Sequence, residues 1–343
     1  MAQPADSRLQ RLWYRSRYAW LPLVPLSLLY AAAVALRRRL YALGLRRSYR
    51  IAAPVVVVGN LTVGGTGKTP VTIWLADRLR RRGFRPGIVS RGYGGVVGDT
   101  PVQANAGSDP AIVGDEPILL AARSRCPVVV HPDRVAAADE LLRMGVDVVL
   151  ADDGLQHYRL RRDYEIAVVD GARGFGNGWL LPAGPLREPR ARLAGVDRVL
   201  VHASRRGEET VAARDLPSGR STGFHLVTQE LVSVDGRTSR PLDELRGRTV
   251  HAVAAIGNPE RFFRALEARG LEVLRHPFPD HAALTAKDLA WPDEHDIVMT
   301  EKDAVKCRDF ATDRHWFVPA DVDMHDESWL DDLERRLRQP RGD

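Results

Sequence analysis

A glycine-rich loop at residues 62–69 carries the pattern best suited to binding phosphate. It reads Thr62, Val63, Gly64, Gly65, Thr66, Gly67, Lys68 and Thr69. Glycines let backbone N–H groups point at phosphate oxygens, a lysine neutralises the β- and γ-phosphates, and a final threonine hydroxyl can bind Mg²⁺. A plain turn between a strand and a helix would explain the glycines but not the Lys-Thr ending. The loop therefore predicts a nucleoside triphosphate site, with ATP as the expected ligand.

The lysine in this loop is informative because lysine is rare in the chain. There are 46 arginines and only four lysines, which are Lys68, Lys287, Lys302 and Lys306. Arginine and lysine differ in shape and hydrogen-bonding geometry, so a lysine here indicates a geometric demand at that position.

Two adjacent carboxylates, Asp152 and Asp153, follow the apolar run 148–151. In a P-loop protein the carboxylate that binds Mg²⁺ comes after another strand of the same sheet, so Asp152 is the first candidate and Asp153 the second. The alternative is that both residues only cap the next turn.

Apolar, β-branched runs alternate with amphipathic stretches along most of the chain. The runs predict strands at 55–58, 87–89, 128–130, 147–150, 166–169 and 198–201, and in a second series at 250–256, 271–274, 297–299 and 316–318. Continuous apolar strands between helices are typical of a buried parallel sheet, so we predict an α/β fold of the doubly wound P-loop type. A second, smaller α/β lobe would follow a connecting β element that ends at the turn residues Asp235 and Gly236.

The N-terminal segment differs from the rest. Its first fifty residues hold ten arginines and one acidic residue, whereas the remaining chain is slightly acidic. Between the basic flanks lies an uncharged run of eighteen residues, 19–36, which is the lower limit for spanning a bilayer. Because Pro22 and Pro25 interrupt its start and arginines flank both ends, we predict a helix that lies in the membrane interface. A buried core helix and a cleaved signal peptide are the alternatives.

These observations predict three regions: a membrane anchor at 1–50, a P-loop core at 51–240, and a smaller lobe at 241–343 that closes a cleft. The location of the basic charge argues against a nucleic-acid partner and favours the surface of a membrane. The two cysteines, Cys126 and Cys307, have no spacing typical of a disulfide framework or a zinc site.

Seven motifs together resemble the tetraacyldisaccharide 4′-kinases, which phosphorylate the lipid A disaccharide precursor of Gram-negative bacteria. They are GNLTVGGTGKTP (59–70), SRGYGG (90–95), GDEP (114–117), DDGLQH (152–157), FGNGWLLPAGPLREP (175–189), FPDH (278–281) and MTEKDAVKC (299–307). The resemblance covers nearly the whole chain.

The resemblance implies that Asp115 is the base that takes the proton of the sugar 4′-hydroxyl and that His281 is its partner, which is a chemically sensible pair. By itself, Asp115 would be read as an acidic residue at a helix start. Glu188 and Gln156 are implied near the metal or nucleotide, with ordinary loop polarity as the alternative.

Other polar residues have looser assignments. Arg91 and Asn60 are the candidates for substrate binding, although the glycines beside Arg91 also fit a plain turn. The residues 301–306 are expected either to face the nucleotide, to form ion pairs between lobes, or to begin a solvated helix.

The function expected from this resemblance is ATP- and Mg²⁺-dependent phosphorylation of the tetraacyldisaccharide 1-phosphate, forming lipid IVA, by a monomer anchored at the cytoplasmic face of the inner membrane. The alternative is a membrane-associated ATPase switch with a deviant P-loop. Such switches commonly have a lysine where this chain has Val63.

Overall fold

The computed structural model describes residues 11–14, 16–204, 206, 207, 210, 216 and 219–339. Residues 1–10 and Arg15, which belong to the predicted anchor, lie outside this range. Within it the chain forms two β-sheets, each covered by helices, and an additional helix near the N-terminus.

The larger sheet has nine strands among the described residues, in the order β15-β8-β7-β6-β1-β5-β2-β4-β3. They are β1 (Val55–Gly59), β2 (Pro86–Ser90), β3 (Val102–Ala104), β4 (Val128–Val130), β5 (Val148–Asp152), β6 (Tyr164–Asp170), β7 (Arg198–His202), β8 (Ser221–Val227) and β15 (Asp321–Met324). The seven inner strands are parallel and the two edge strands are antiparallel to their neighbours. This agrees with the predicted doubly wound sheet, and the carboxyl ends of β1 and β5 lie side by side.

The smaller sheet has six strands among the described residues, in the order β10-β9-β14-β13-β11-β12. They are β9 (Glu230–Ser233), β10 (Ser239–Pro241), β11 (Thr249–Ala254), β12 (Glu272–Pro277), β13 (Asp296–Thr300) and β14 (His315–Val318). The antiparallel pair β9 and β10 turns at Asp235 and Gly236, where Gly236 has a φ of 74°. The predicted turn and the second α/β series are therefore confirmed.

Helices cover both faces of the larger sheet. The α-helices of the described chain are α1 (Val24–Ala42), α2 (Lys68–Arg81), α3 (Pro110–Val113), α4 (Asp115–Ser124), α5 (Arg134–Arg143), α6 (Pro259–Ala268), α7 (Glu301–Cys307) and α8 (Trp329–Arg338). The strands alternate their side chains, so Val56 and Val58 pack with α2, α4 and α8, whereas Val55 and Val57 pack with α5.

The boundary between the lobes differs from the prediction at residue 240. Strands β9 and β10 already belong to the smaller sheet, whereas β15 pairs with β8 and returns the chain to the larger one. Helix α8 also joins the larger core through Trp329, Leu330, Leu333 and Leu337. The predicted ranges 51–240 and 241–343 therefore do not match the two sheets, because strand patterns alone do not reveal which sheet a strand joins.

Helix α1 and the short turn before it, Leu21–Leu23, form a 22-residue apolar helix whose most apolar window is only 6% buried. Its length and composition suffice to cross a membrane. Low burial excludes the alternative of a core helix.

Candidate active site

A cavity of about 1970 Å³ lies between the carboxyl ends of the larger sheet and the smaller lobe. The phosphate loop, the end of β5, helix α6 and residues 280–281 and 300–302 contribute to its walls. Pockets for one small ligand commonly measure about 300–1,000 Å³, so this cavity has room for two substrates.

The phosphate loop connects β1 directly to α2, as the sequence predicted. Gly64 and Gly67 have φ values of 108° and 96°, which a residue with a side chain rarely adopts. A Cβ atom on Gly67 would also lie 3.0 Å from Nδ1 of His202. The loop therefore needs glycine at this position to reach the helix while passing over the histidine.

Hydrogen bonds from other segments of the same chain stabilise the phosphate loop. The amide of Val63 donates to the carbonyl of Pro185 at 2.8 Å, and Thr62 bridges to Leu186. The Asn60 side chain is fully buried and donates from Nδ2 to the carbonyl of Gly64 at 3.3 Å. The structure therefore places Asn60, a candidate for substrate binding, behind the loop, where its side chain contacts Gly64 and does not line the cavity.

Behind the loop, Arg261 of α6 joins the smaller lobe to the larger one. Its guanidinium lies 2.7 Å from Asp170 and donates to Nδ1 of His202 at 2.7 Å. His202 is also 3.1 Å from the carbonyl of Thr66. Burial and the charge of Arg261 hold the pKa of His202 well below its usual value, so the ring is neutral.

Lys68 and Thr69 begin α2 on the cavity wall, next to the carboxylates of β5. The ammonium of Lys68 lies 3.6 Å from Asp153, and Arg187 donates to the same carboxylate at 2.9 and 3.1 Å. Although burial acts to raise the pKa of Asp153, these cations hold it far below its usual value. Asp153 also has a φ of 47°, a strained conformation of the kind found at functional sites.

Asp152 is buried and accepts a hydrogen bond from Thr72 at 2.9 Å. Burial and the negative charge of Glu116 raise the pKa of Asp152, with Lys68 acting against them. A cation beside this carboxylate would therefore stabilise its charged form. Thr69, Asp152 and Asp153 all line the cavity, and their oxygen donors are of the kind that Mg²⁺ prefers.

Glu188 does not lie on the cavity wall. It is 1% exposed and accepts hydrogen bonds from Tyr158 and from Nε2 of Gln156, the latter at 3.3 Å. Gln156 lines the cavity and also donates to the carbonyl of Asn60 at 3.1 Å. The contact of Glu188 with the cavity, where the resemblance implies a place near the metal or nucleotide, therefore runs through Gln156.

The two lobes meet at Asp115 and His281, as the motifs implied. Nδ1 of His281 lies 3.1 Å from the carboxylate of Asp115. Burial acts to raise the pKa of Asp115, but the hydrogen bond from His281 and the charges of Lys302 and Lys306 lower it to about 2. Asp115 is therefore an anion at every physiological pH.

The exposure of the two side chains differs from what the implied role of Asp115 as the base suggests. Asp115 is 5% exposed and does not line the cavity, whereas His281 does. His281 has a φ of 61° and its ring lies 4.8 Å from that of Tyr93. A hydroxyl group in the cavity would therefore meet the imidazole before the carboxylate.

Comparisons with known proteins show the family. The family model described as tetraacyldisaccharide-1-P 4′-kinase matches residues 19–338. A tetraacyldisaccharide 4′-kinase of Nitrosococcus oceani is 49% identical over 93% of this chain and 91% of its own length. One of Aromatoleum aromaticum is 51% identical over 90% of each chain.

The chain belongs to the tetraacyldisaccharide 4′-kinase family. Among solved structures, LpxK from Aquifex aeolicus in complex with ATP matches with a TM-score of 0.75 and 28% identity, covering 93% of this chain and 99% of that one. The doubly wound sheet with its second lobe is thus the fold of this kinase family.

Several arginines of this family member surround the same cavity. Arg91, the predicted substrate ligand, is exposed at the end of β2 on the cavity wall. Arg134 is buried and donates to the carbonyl of Asp152 at 2.8 Å, and Arg187 pairs with Asp153. Sequence reasoning missed Arg134 and Arg187 as site residues because arginine is so common in this chain that its occurrence carries little information.

Helix α1 packs beside the cavity along most of its length. Ser27 donates to the carbonyl of Leu180 at 2.8 Å, Tyr30 to that of Arg187 at 3.2 Å, and Arg37 to that of Gln156 at 3.2 Å. The ring of Tyr41 lies 5.7 Å from that of Tyr158. Helix α1 is therefore part of the site's surroundings.

Proposed function

We propose that this protein transfers the γ-phosphoryl group of ATP to the 4′-hydroxyl of tetraacyldisaccharide 1-phosphate, which forms lipid IVA in lipid A biosynthesis. The observation that carries the proposal is the arrangement of one cavity. It has a phosphate loop on one wall, His281 of the smaller lobe on another with Asp115 of the larger lobe behind it, and an apolar helix beside it.

The phosphate loop is suited to hold the triphosphate. Backbone N–H groups of residues 64–69 and the positive end of α2 attract phosphate oxygens, and Lys68 neutralises the β- and γ-phosphates. Thr69, Asp152 and Asp153 would hold Mg²⁺, which adds positive charge against the developing negative charge of the transferred group. Arg187 keeps Asp153 ionised and oriented for that role.

The Asp115–His281 pair is suited to take the proton of the attacking hydroxyl. The hydroxyl oxygen forms a bond to the γ-phosphorus as the bond to ADP breaks, and the proton passes to the pair. The charge of Asp115 stabilises the resulting imidazolium, as in other carboxylate–histidine pairs. Most of the remaining acceleration comes from positioning and electrostatics.

This arrangement of the cavity does not fit the alternative function, an ATPase switch. Its loop would carry a lysine at the position of Val63, and hydrolysis needs neither the apolar helix nor an acceptor site in the second lobe. The tetraacyldisaccharide is the better candidate because its family shares nearly the whole chain.

We place the protein at the cytoplasmic face of the inner membrane, where ATP and a lipid substrate meet. Helix α1 contacts the larger lobe from Ser27 to Tyr41, so it would lie along the membrane surface with its outer face in the lipid. The site is complete within one chain, which fits a monomer. The expected partner is the lipid substrate and not a nucleic acid, since the excess charge lies beside the apolar helix.

The direct test is an assay with ATP labelled at the γ-phosphate and vesicles that contain the disaccharide 1-phosphate. Labelled lipid is expected with the natural protein, whereas the Lys68→Ala variant should make little. The Lys287→Met variant is a matched control, since this lysine is exposed and lies outside the cavity lining. Release of free phosphate alone, with the lipid present, would contradict the proposal.

A further inference from the structure

Lys302, in the first turn of α7, reaches the Asp115–His281 pair from the smaller lobe. Its ammonium lies 3.2 Å from Nε2 of His281 and 3.1 Å from the carboxylate of Glu116. A second carboxylate, that of Asp280, is 3.5 Å away. Although the side chain is only 14% exposed, it lines the cavity.

The surroundings of Lys302 keep it positively charged. Burial alone would lower its pKa, but the carboxylates of Glu116, Asp115 and Asp280 outweigh burial and raise the pKa above the usual value. A protonated amine has three N–H donors and no acceptor. The contact with His281 must therefore be a hydrogen bond from Lys302 to an unprotonated Nε2.

This contact decides which nitrogen of His281 carries the proton. Nε2 accepts from Lys302, so the neutral ring has its proton on Nδ1, and Nδ1 donates to Asp115 at 3.1 Å. The opposite tautomer would direct the Nε2–H at the ammonium group of Lys302 and the lone pair of Nδ1 at the carboxylate of Asp115. The Asp280 carboxylate also faces Nε2, but at 3.8 Å it is beyond hydrogen-bonding distance. Only one neutral form therefore satisfies both hydrogen-bonded neighbours.

We propose that Lys302 is a positioning residue, which holds His281 in the form with Nδ1–H directed at Asp115 so that Nε2 receives the proton of the substrate hydroxyl. This inference rests on the proposed phosphoryl transfer. In that step the O–H bond breaks, the proton moves to Nε2, the oxygen bonds to the γ-phosphorus, and ADP leaves with the electrons of the broken P–O bond.

Lys302 keeps two ion pairs when the substrate hydroxyl replaces it as the hydrogen-bond donor to Nε2. Glu116 and Asp280 both remain within 3.5 Å of its ammonium. Lys306, one helical turn later, lies 3.5 Å from Asp115 and 2.9 Å from Asp303, so a second cation holds the carboxylate from its other side. The His281 ring lies between Asp115 and Lys302, and its backbone has a φ of 61°.

The test is the pH profile of kcat/KM for the Lys302→Met variant in the γ-phosphate transfer assay. Removing a cation beside the base makes protonation of the ring easier, so the acid limb should move to higher pH by about one unit or more. Turnover at neutral pH should fall about tenfold or more. The Lys302→Arg variant keeps the charge, and its acid limb should stay at the natural position.

The controls separate positioning from folding and from the proposed function. Lys287→Met removes an exposed lysine of the same lobe and should leave the profile unchanged. A Lys302→Met variant that loses turnover without moving its acid limb would overturn the inference, as would an Arg variant that shifts as far as Met. If the natural protein makes no labelled lipid, the proposed function itself has failed.

A second measurement needs no Lys302 variant. In protein labelled with ¹⁵N-histidine, the His281 resonances can be assigned by comparison with His281→Asn. A protonated Nδ1 and an unprotonated Nε2 at neutral pH are expected, and the reverse tautomer would overturn the inference.

Discussion

Replacing three leucines on the outer face of α1 should release the protein from membranes without disturbing its fold. Leu28, Leu29 and Leu36 are 58%, 69% and 59% exposed. They lie opposite the face of the helix that contacts the larger lobe through Ser27, Tyr30 and Tyr41. Successive residues of a helix are about 100° apart, which places the three leucines within one face. Their replacement by serine removes apolar surface that the folded protein does not use internally.

The expected loss follows from the exposed area. Burying a whole leucine side chain contributes about 2 kcal/mol, so the exposed parts of three leucines contribute about 3 to 4 kcal/mol to membrane binding. Each 1.4 kcal/mol is about a factor of ten, so the partition coefficient should fall by a factor of several hundred. The arginines beside α1 remain, and their attraction to anionic lipid is weakened at about 1 M salt, where the screening length is about 3 Å.

The assay is sedimentation with phosphatidylethanolamine and phosphatidylglycerol vesicles at low and high salt. The matched control replaces Ile112, Met144 and Leu274 with serine, since these residues are 48%, 37% and 42% exposed and lie away from α1. The control should bind as the natural protein does. Equal losses in both triple variants, or a loss below about tenfold in the α1 variant, would refute the reasoning that this face enters the lipid.

Three further results are expected. Lys68→Ala and Asp115→Ala should each lower turnover at least about a hundredfold in initial-rate assays, and a normal rate for Asp115→Ala would exclude that residue from proton transfer. Chelation of divalent cations should abolish transfer and added Mg²⁺ restore it, because Asp152 favours a cation beside it; activity with the chelator present would contradict this. Burial and the charge of Arg134 lower the pKa of His157 in the folded protein to about 4. The neutral ring therefore contributes to the free energy of unfolding above pH ~6.5, and this contribution should be lost as the pH falls from ~6.5 to the lowered pKa. The thermal midpoint of His157→Gln should fall less over this range, and an equal fall would contradict the assignment.

The strands and the phosphate loop were predictable because their signals are local. A run such as 128–130 is buried on both sides and consists of valines, and the observed strand has the same limits. The Lys-Thr ending of the loop lies at the first turn of α2 as expected. Both follow from short-range preferences that any buried parallel strand or phosphate loop must satisfy.

Which side chains line the cavity was less predictable, because this depends on contacts between residues that are distant in sequence. Asn60 follows β1 directly, which is a common position for a ligand, yet its amide turns inward to the carbonyl of Gly64. Asp115 begins α4 as a helix-start reading predicts, and it becomes part of the site only because Lys302 and Lys306 arrive from the other lobe. The scarcity of lysine was a usable signal here, since three of the four lysines lie at the phosphate loop or at the Asp115–His281 pair.

The return of the chain to the larger sheet explains how two lobes can hold one site. Strand β8 ends at Val227, which pairs with Asp321 at the start of β15. The smaller lobe is therefore inserted between two adjacent antiparallel strands, and both of its connections leave the larger sheet at one edge. Helix α8 buries Trp329 and Leu333 in the larger core, so the segment after the insertion packs against the larger sheet as the segment before it does. The pair Asp115–His281, the Lys302–Glu116 ion pair and the contact of Arg261 with Asp170 then join the lobes across the cavity, away from those connections. Four of the six residues that make these contacts, Glu116, Arg261, His281 and Lys302, also line the cavity, so the contacts that hold the lobes together form part of its wall.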